Sequence, residues 1–427
     1  MNAKSIFEDS ITMLILYNTG ILLLRFAYAM AAWFNPKAKA FRLGRREQVE
    51  ILQKTFPLKQ PSTLVWFHCA SLGEFEQGRT VMEAMKAWRP EIKILLTFFS
   101  PSGFEVRKNY AHADFVFYLP WDTPKHATWF AENIRPALVV FVKYEFWYHY
   151  TTTLHKRNVP LLSISSIFRP EQIFFKGPGS LFRSMLGSFS HFFVQNQQSV
   201  DLLQSIGITA VTLAGDTRFD RVHQIIQKST AIPLVTQFKD GQKLMVIGSA
   251  WPEDMEILYP FIHENKDRIK FIIAPHEIQE GFIQAIEKSV EGKAIRYSNA
   301  DITSVQGASI MIIDHVGMLS LLYQYGEFAF VGGGLGQGLH NILEAACYGI
   351  PIFFGNKAFQ KYQEAVDLVL RGGAFEVGNF IDLKLKYEMM INSPETFLLA
   401  CKVTRQYVSE NLGATEKIMA YSRIILA

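Results

Sequence analysis

Cysteine is scarce. The 427-residue sequence holds three, Cys69, Cys347 and Cys401, far apart and with no CxxC or Cys/His spacing. Neither a zinc site nor a disulfide framework is indicated, and a reducing compartment is the simpler setting. Charge is sparse as well: charged residues make up 19% and the net charge is +4, too small for a chain of this length to be a nucleic-acid-binding polycation. No short-period repeat or low-complexity tract occurs, which removes solenoids and disordered arrays. Apolar residues are what the chain has in quantity, 49% of it with 35 Phe. That excludes a disordered chain and predicts two cores of about 150–200 residues each, with lipid contact a further outlet for apolar surface.

Near the N-terminus an apolar run from Ile11 to Phe34, broken only by Asn18 and Arg25, has about the length needed to cross a bilayer. Lys37, Lys39, Arg42, Arg45 and Arg46 follow it directly. Such a cluster belongs on the cytoplasmic side, against anionic lipid of the inner leaflet, which leaves the rest of the chain in the cytoplasm. Ala27, Ala29 and Ala31 are small enough for a cleaved signal peptide, but Glu8 and Asp9 ahead of the run and Arg25 within it count against one. A buried amphipathic helix is the soluble alternative. A tilted or interfacial anchor also fits, because Arg25 can snorkel from a shallow helix.

Beyond residue 46, short apolar runs alternate with helical patterns, the signature of parallel sheets built from βα units, and the series occurs twice. The division that follows is an anchor and basic segment at 1–46, a Rossmann-like domain at 47–220, a linker at 221–241, a second Rossmann-like domain at 242–394 and closing helices at 395–427. In doubly wound sheets ligands bind beyond the carboxyl ends of the strands, and two such domains facing each other make a cleft.

Four strand-end segments carry candidate chemistry. Gly73 permits a tight turn that sets Glu74 at a strand-to-helix junction, with the helix expected to begin near Gln77 or Arg79. A carboxylate there can take the proton of an attacking hydroxyl; Glu76 competes for that role, and dipole pairing or capping is the structural alternative. The segment from Phe330 to Ala346 runs from a buried strand through Gly332, Gly333, Gly334, Gly336 and Gly338 into an expected helix, where bare amides and a positive helix end suit a phosphate. Glu344, one turn after His340, suits ribose hydroxyls, and Asn341 can cap the helix. Ser249, ahead of Pro252, can hydrogen-bond a phosphate or cap a helix, and Pro275-His276 puts an imidazole at the same sheet edge.

Taken together, the basic anchor, Ala70-Ser71-Leu72-Gly73-Glu74, Tyr144-Glu145-Phe146-Trp147, Leu154-His155-Lys156-Arg157, Gly215-Asp216-Thr217-Arg218-Phe219-Asp220 and the glycine-rich segment ending His340-Asn341-Ile342-Leu343-Glu344-Ala345-Ala346 resemble the Kdo transferase family over nearly the whole chain. That family attaches 3-deoxy-D-manno-octulosonic acid (Kdo) to the lipid A precursor of lipopolysaccharide. The resemblance implies an α/β fold of GT-B type, CMP-Kdo as donor, lipid IVA as acceptor and inverting transfer with no metal or cofactor. It also implies Glu74 as general base, with Gly73, Lys143, Arg218, Ser249, Pro275, His276, Gly334, Gly338, His340, Asn341 and Glu344 in substrate binding. Relatives commonly have Pro-Arg-His where this chain has Pro275-His276, so Lys143 or another basic residue would supply the missing cation. Lys143 and Met318 stand where acidic residues are usual. Two rival readings use the same features: a GT-B enzyme handling a UDP-sugar, as a lipid-acceptor transferase or an epimerase, and a catalytically silent, membrane-tethered nucleotide-binding scaffold.

Overall fold

The computed structural model describes residues 3–56, 63–177, 179–228, 230–290, 294–357 and 359–427. The side chains of residues 3–10, 37 and 40 are not covered, so those of Glu8, Asp9 and Lys37 lie outside the described residues. The chain divides into two compact units, residues 1–221 with 412–427, and residues 222–411.

The first unit contains seven strands: β1 (Leu64–Cys69), β2 (Lys93–Phe98), β3 (Phe115–Tyr118), β4 (Leu138–Val142), β5 (Leu161–Ser166), β6 (His191–Val194) and β7 (Val211–Leu213). They form one parallel sheet in the order β3-β2-β1-β4-β5-β6-β7. Both faces of this sheet are covered. Val65, Phe67, Ile94 and Leu96 enter one apolar cluster while Leu64, Trp66, Leu95 and Val139 enter another, as the period-2 alternation of a doubly wound sheet requires. Of these strands, β7 was not apparent in the sequence, being three residues long and partly exposed at the sheet edge.

The second unit repeats the plan with β8 (Leu244–Ala250), β9 (Lys270–Pro275), β10 (Ala294–Arg296), β11 (Ile310–Ile312), β12 (Phe328–Val331), β13 (Ile352–Gly355) and β14 (Ala374–Val377). These are again parallel, in the order β10-β11-β9-β8-β12-β13-β14. The stretch expected as a linker, 221–241, is largely helical: it holds the end of the helix Thr217–Gln227 and a short helix Pro233–Lys239 that buries Val235 and Phe238 one turn apart. Of the closing helices, Pro394–Glu410 belongs to the second unit and Ala414–Leu426 to the first.

Helix α1 (Ala3–Ala31) holds the apolar run up to Ala31, and its stretch Ile11–Ala31 is long and apolar enough to cross a membrane. Ile15, Leu16, Leu22, Leu23 and Phe26 are exposed. One face, however, is tied to the first unit by polar contacts. Tyr17 Oη donates to Asp122 Oδ2 at 2.5 Å and accepts from the Tyr148 amide at 3.2 Å, and Asn18 Oδ1 meets His149 Nε2 at 2.7 Å. Helix α2 (Pro36–Thr55) then turns inward, burying Phe41, Arg45 and Leu52, and Phe56 directly after it is buried too.

Candidate functional site

In the first unit, β1 leads directly into helix α3 (Leu72–Trp88), which begins five residues before Gln77. The early start has a local cause. Ser71 is the N-cap and Glu74 the N3 residue of a capping box: the Ser71 amide donates to Glu74 Oε2 at 3.0 Å and the Ser71 hydroxyl donates to the same oxygen. Glu74 is half-buried beside exposed Gly73, and its Oε1 has no hydrogen-bond partner among the described residues. Glu76, the rival carboxylate, is held between Arg107 Nη2 at 2.9 Å and Arg79 Nη1 at 3.3 Å. Of the two, Glu74 is therefore the carboxylate with an oxygen to offer an incoming hydroxyl.

Lys143 follows β4 with φ +66, a left-handed conformation uncommon for a residue with a side chain, and its Nζ lies 5.3 Å from the Tyr144 ring. Next to it Glu145 Oε2 accepts from Trp147 Nε1 at 2.7 Å and meets the buried His68 imidazole at 2.9 Å, while His68 Nδ1 contacts Thr97. Burial raises the Tyr144 phenol; Arg169 opposes the shift and Glu74 adds to it. Glu74, Tyr144 and Arg169 come after the carboxyl ends of the neighbouring strands β1, β4 and β5. Tyr144 and Arg169 were not among the residues singled out from sequence.

Arg218 lies elsewhere in this unit and has a different partner. Its Nε and Nη2 reach Asp216 Oδ2 at 2.9 and 2.8 Å. Asp216 also accepts from Gln77 of α3, and Thr217 donates to the Gln77 carbonyl at 2.6 Å. Burial would raise the Asp216 carboxyl, but the Arg218 charge and hydrogen bonds hold it below the usual carboxylate range. Asp220 accepts from the amides of Gly413 and Thr415 at the start of the C-terminal helix. The segment Gly215–Asp220 thus clasps α3 and the returning C-terminus.

In the second unit the candidate residues gather at the carboxyl ends of β8, β9 and β12. Ser249 has φ +52, and Ala250 of β8 accepts from the His276 amide at 3.0 Å, immediately after Pro275 ends β9. Gly332 to Gly334 are packed so closely that no side chain fits: a Cβ on Gly332 would meet Ser249 O at 2.2 Å, and one on Gly334 would meet Gly355 O at 2.5 Å. Asp254 braces this loop. Its Oδ2 accepts from the Gly333 amide at 2.8 Å and the Trp251 amide at 3.0 Å, and burial pushes the carboxyl up to about 6.

The helix expected after the glycines is a single turn, Leu343–Ala346, and His340 precedes it. Asn341 Oδ1 accepts from the Leu343 amide at 3.2 Å and its Nδ2 donates to Glu344 Oε1 at 3.2 Å, so the Asn341 amide rather than a regular helix repeat positions Glu344. A turn this short contributes little helix dipole, which leaves loop amides and side chains to receive an anion. His340 and His276 stack with ring centroids 4.2 Å apart, and Trp251 stacks on His276 at 4.6 Å. Trp251 Nε1 lies 2.9 Å from His340 Nε2. An indole N–H only donates, so Nε2 accepts and Nδ1 carries the proton. Burial, then His276, pushes the His340 imidazole down to about 4. At neutral pH the pair therefore offers a neutral hydrogen-bond donor. Trp251, Asp254 and Lys357, whose amide donates to Gly334 O at 2.9 Å, are the residues of this edge that sequence reasoning missed. Among the described residues no group of three or more His, Cys, Asp or Glu can hold a metal ion.

Residues 42–221 match the family described as 3-deoxy-D-manno-octulosonic-acid transferase (kdotransferase). The 3-deoxy-D-manno-octulosonic acid transferase of Aquifex aeolicus is 28% identical over 354 residues, covering 81% of this chain and 92% of that one. Its counterpart in Haemophilus influenzae is 23% identical, covering 84% and 86%. The chain is thus similar to 3-deoxy-D-manno-octulosonic acid transferases over about four-fifths of its length. Gly73, Glu74, Lys143 and Arg218 fall within the segment matched to that family, and the other candidate residues follow it. Among solved structures, the UDP-GlcNAc 2-epimerase of Neisseria meningitidis bound to UDP-GlcNAc aligns with a TM-score of 0.59 at 16% identity, covering 84% of this chain and 98% of that one. A putative UDP-N-acetylglucosamine 2-epimerase of Listeria monocytogenes aligns at 0.57 and 12%, covering 85% and 95%. At that identity the likeness is one of fold, and the fold is of GT-B type with two parallel-sheet α/β domains.

Proposed function

We infer that this protein transfers Kdo from CMP-Kdo to a hydroxyl of a lipid A precursor, lipid IVA, in lipopolysaccharide synthesis. The observation that carries the reading is the similarity to 3-deoxy-D-manno-octulosonic acid transferases across some four-fifths of the chain. In the proposed reaction an acceptor hydroxyl attacks the anomeric carbon of Kdo while Glu74 takes its proton, and CMP departs with the bonding electrons, inverting that carbon. The loop amide of Gly334, the Nδ1–H of His340 and the Ser249 hydroxyl would receive the phosphate. Asn341 and Glu344 would meet the ribose. Because the leaving phosphate monoester needs little protonation, the reaction asks for neither a metal nor a cofactor. Lys357, beside Gly334 O, is our choice for the cation that Pro275-His276 lacks.

We further propose that the protein works at the cytoplasmic face of the inner membrane, with α1 lying along the interface. A spanning α1 would have to break Tyr17 from Asp122 and Asn18 from His149 or carry those groups into hydrocarbon, which favours the in-plane arrangement. The test is incubation of full-length protein with CMP-Kdo and diphosphorylated lipid A precursor, in parallel with UDP-GlcNAc, followed by mass analysis with and without EDTA. A Kdo adduct, undiminished by chelation, is expected. Transfer or epimerisation of the UDP-sugar with no Kdo adduct would sink the proposal.

A further inference from the structure

A cavity of about 660 Å³ opens between α1 and α2, and Arg25, Arg42, Arg45 and Arg46 line it with Glu50 as the single carboxylate. Arg45 is the unusual member. Only 3% exposed, it is packed among Phe41, Phe99 and Trp121 with its guanidinium carbon 4.4–4.5 Å from each ring. Its Nη2 donates to Phe99 O at 2.6 Å, while Nε and Nη1 have no partner. Burial lowers this guanidinium to about 9, a sign of how little solvates its charge. Aromatic faces compensate part of that cost, but the N–H groups on two buried nitrogens remain unmet, and an acceptor that brings negative charge supplies both deficits.

The apolar rim points to what kind of anion. Leu22 and Phe26, which border the cavity, are 62% and 63% exposed, and exposed Leu23, Met30, Trp33 and Phe34 continue the same surface. A soluble phosphate has no use for such a rim, whereas a lipid seats its phosphate among the arginines and its chains along α1. We propose that the cavity between α1 and α2 is a binding site for the phosphate of an anionic membrane lipid. Its occupancy is read by partitioning alone, without donor or turnover, so failure of the site is distinguishable from failure of the proposed transfer reaction.

Vesicle partitioning of the full-length protein tests this. Three compositions serve as probes: phosphatidylcholine alone, phosphatidylcholine with phosphatidylglycerol, and phosphatidylcholine with diphosphorylated lipid A precursor. Arg42→Gln and Arg46→Gln, both at exposed positions, are compared with Lys39→Gln, which removes the same charge from α2 outside the cavity. Loss of one charge near an anionic surface lowers partitioning about fivefold. Loss of a charge-assisted hydrogen bond to phosphate as well should lower it about tenfold or more for each arginine. An excess loss with phosphatidylglycerol identifies a bulk phospholipid, and an excess loss confined to the lipid A precursor identifies the acceptor's own phosphate; either supports the site. Equal losses for the three variants mean a diffuse basic surface, and no preference for either anionic vesicle means no site at all; either result overturns the proposal. Arg45→Lys, if it folds, should bind like the arginine variants although its charge is kept, because the fork of donors is gone.

Discussion

Glu74→Gln separates catalysis from architecture because of how the carboxylate is held. The oxygen that accepts from the Ser71 amide and hydroxyl has an equivalent in the glutamine carbonyl, and glutamine serves at N3 of a capping box as glutamate does. Only the charge near the α3 N-terminus is lost, so stability should fall by about 0.3–1 kcal/mol. On the proposed mechanism, base catalysis is lost completely. A positioned base contributes about 10²–10⁴ in rate, or roughly 3–5 kcal/mol of barrier. Ser71→Ala makes the complementary change: the base survives, the cap is weakened by about 1 kcal/mol, and the carboxylate loses one of its two restraints.

Initial rates at saturating donor and acceptor, urea midpoints and calorimetric CMP affinity should then diverge between the two variants. For Glu74→Gln we expect kcat down at least about 100-fold with CMP affinity and urea midpoint nearly unchanged. For Ser71→Ala we expect a lowered midpoint with a rate loss of about tenfold or less. Glu76→Gln breaks partly exposed pairs to Arg79 and Arg107 and should do little to the rate. If Glu74→Gln retains more than about a tenth of the wild-type rate, far above what loss of a base permits, the carboxylate is a helix cap and the base lies elsewhere.

Four further outcomes follow from the second unit. Trp251→Phe removes the only indole donor to His340 Nε2 while keeping the stack, so the imidazole loses its fixed tautomer; CMP affinity should fall about tenfold or less, with kcat less affected. Gly334→Ala forces a Cβ to within 2.5 Å of the Gly355 carbonyl, a backbone neighbour that cannot swing aside, and should cost about 1–3 kcal/mol in urea denaturation together with CMP binding. Lys357→Gln should raise the donor KM with stability unchanged, and an unaltered KM would exclude it as the missing cation. Asp254 titrates near 6 in the fold against about 4 when unfolded, so the folded state holds the extra proton between those values and gains stability as pH falls through the window. Relative to Asp254→Asn, wild type should therefore gain up to about 3 kcal/mol between pH 7 and pH 4; a difference independent of pH would mean the carboxylate is solvated.

What could be read in the sequence depended on whether a feature is local. The strands that were legible, such as Leu64–Cys69 and Lys270–Pro275, are buried on both faces and appear as continuous apolar runs. Val211–Leu213, Ala294–Arg296 and Ala374–Val377 were missed because all are edge strands of three or four residues, partly exposed and too short to show a period. The capping signal at Ser71-x-x-Glu74 was legible in principle and places the start of α3, yet Gly73 drew attention to a turn instead.

The stack of Trp251, His276 and His340 had no comparable signal. Its members follow three different strands and meet only because β9, β8 and β12 are neighbours in a parallel sheet. A recognisable motif can also mislead about role. Gly215–Asp220 is as distinctive as the glycine-rich loop, but its carboxylates are spent on Arg218, Gln77 and the amides of Gly413 and Thr415. Only the partners of such residues tell whether their role is chemical or architectural. By that criterion Arg218 positions α3, and a substitution there should reach the rate through Glu74, lowering kcat and stability together while sparing CMP affinity.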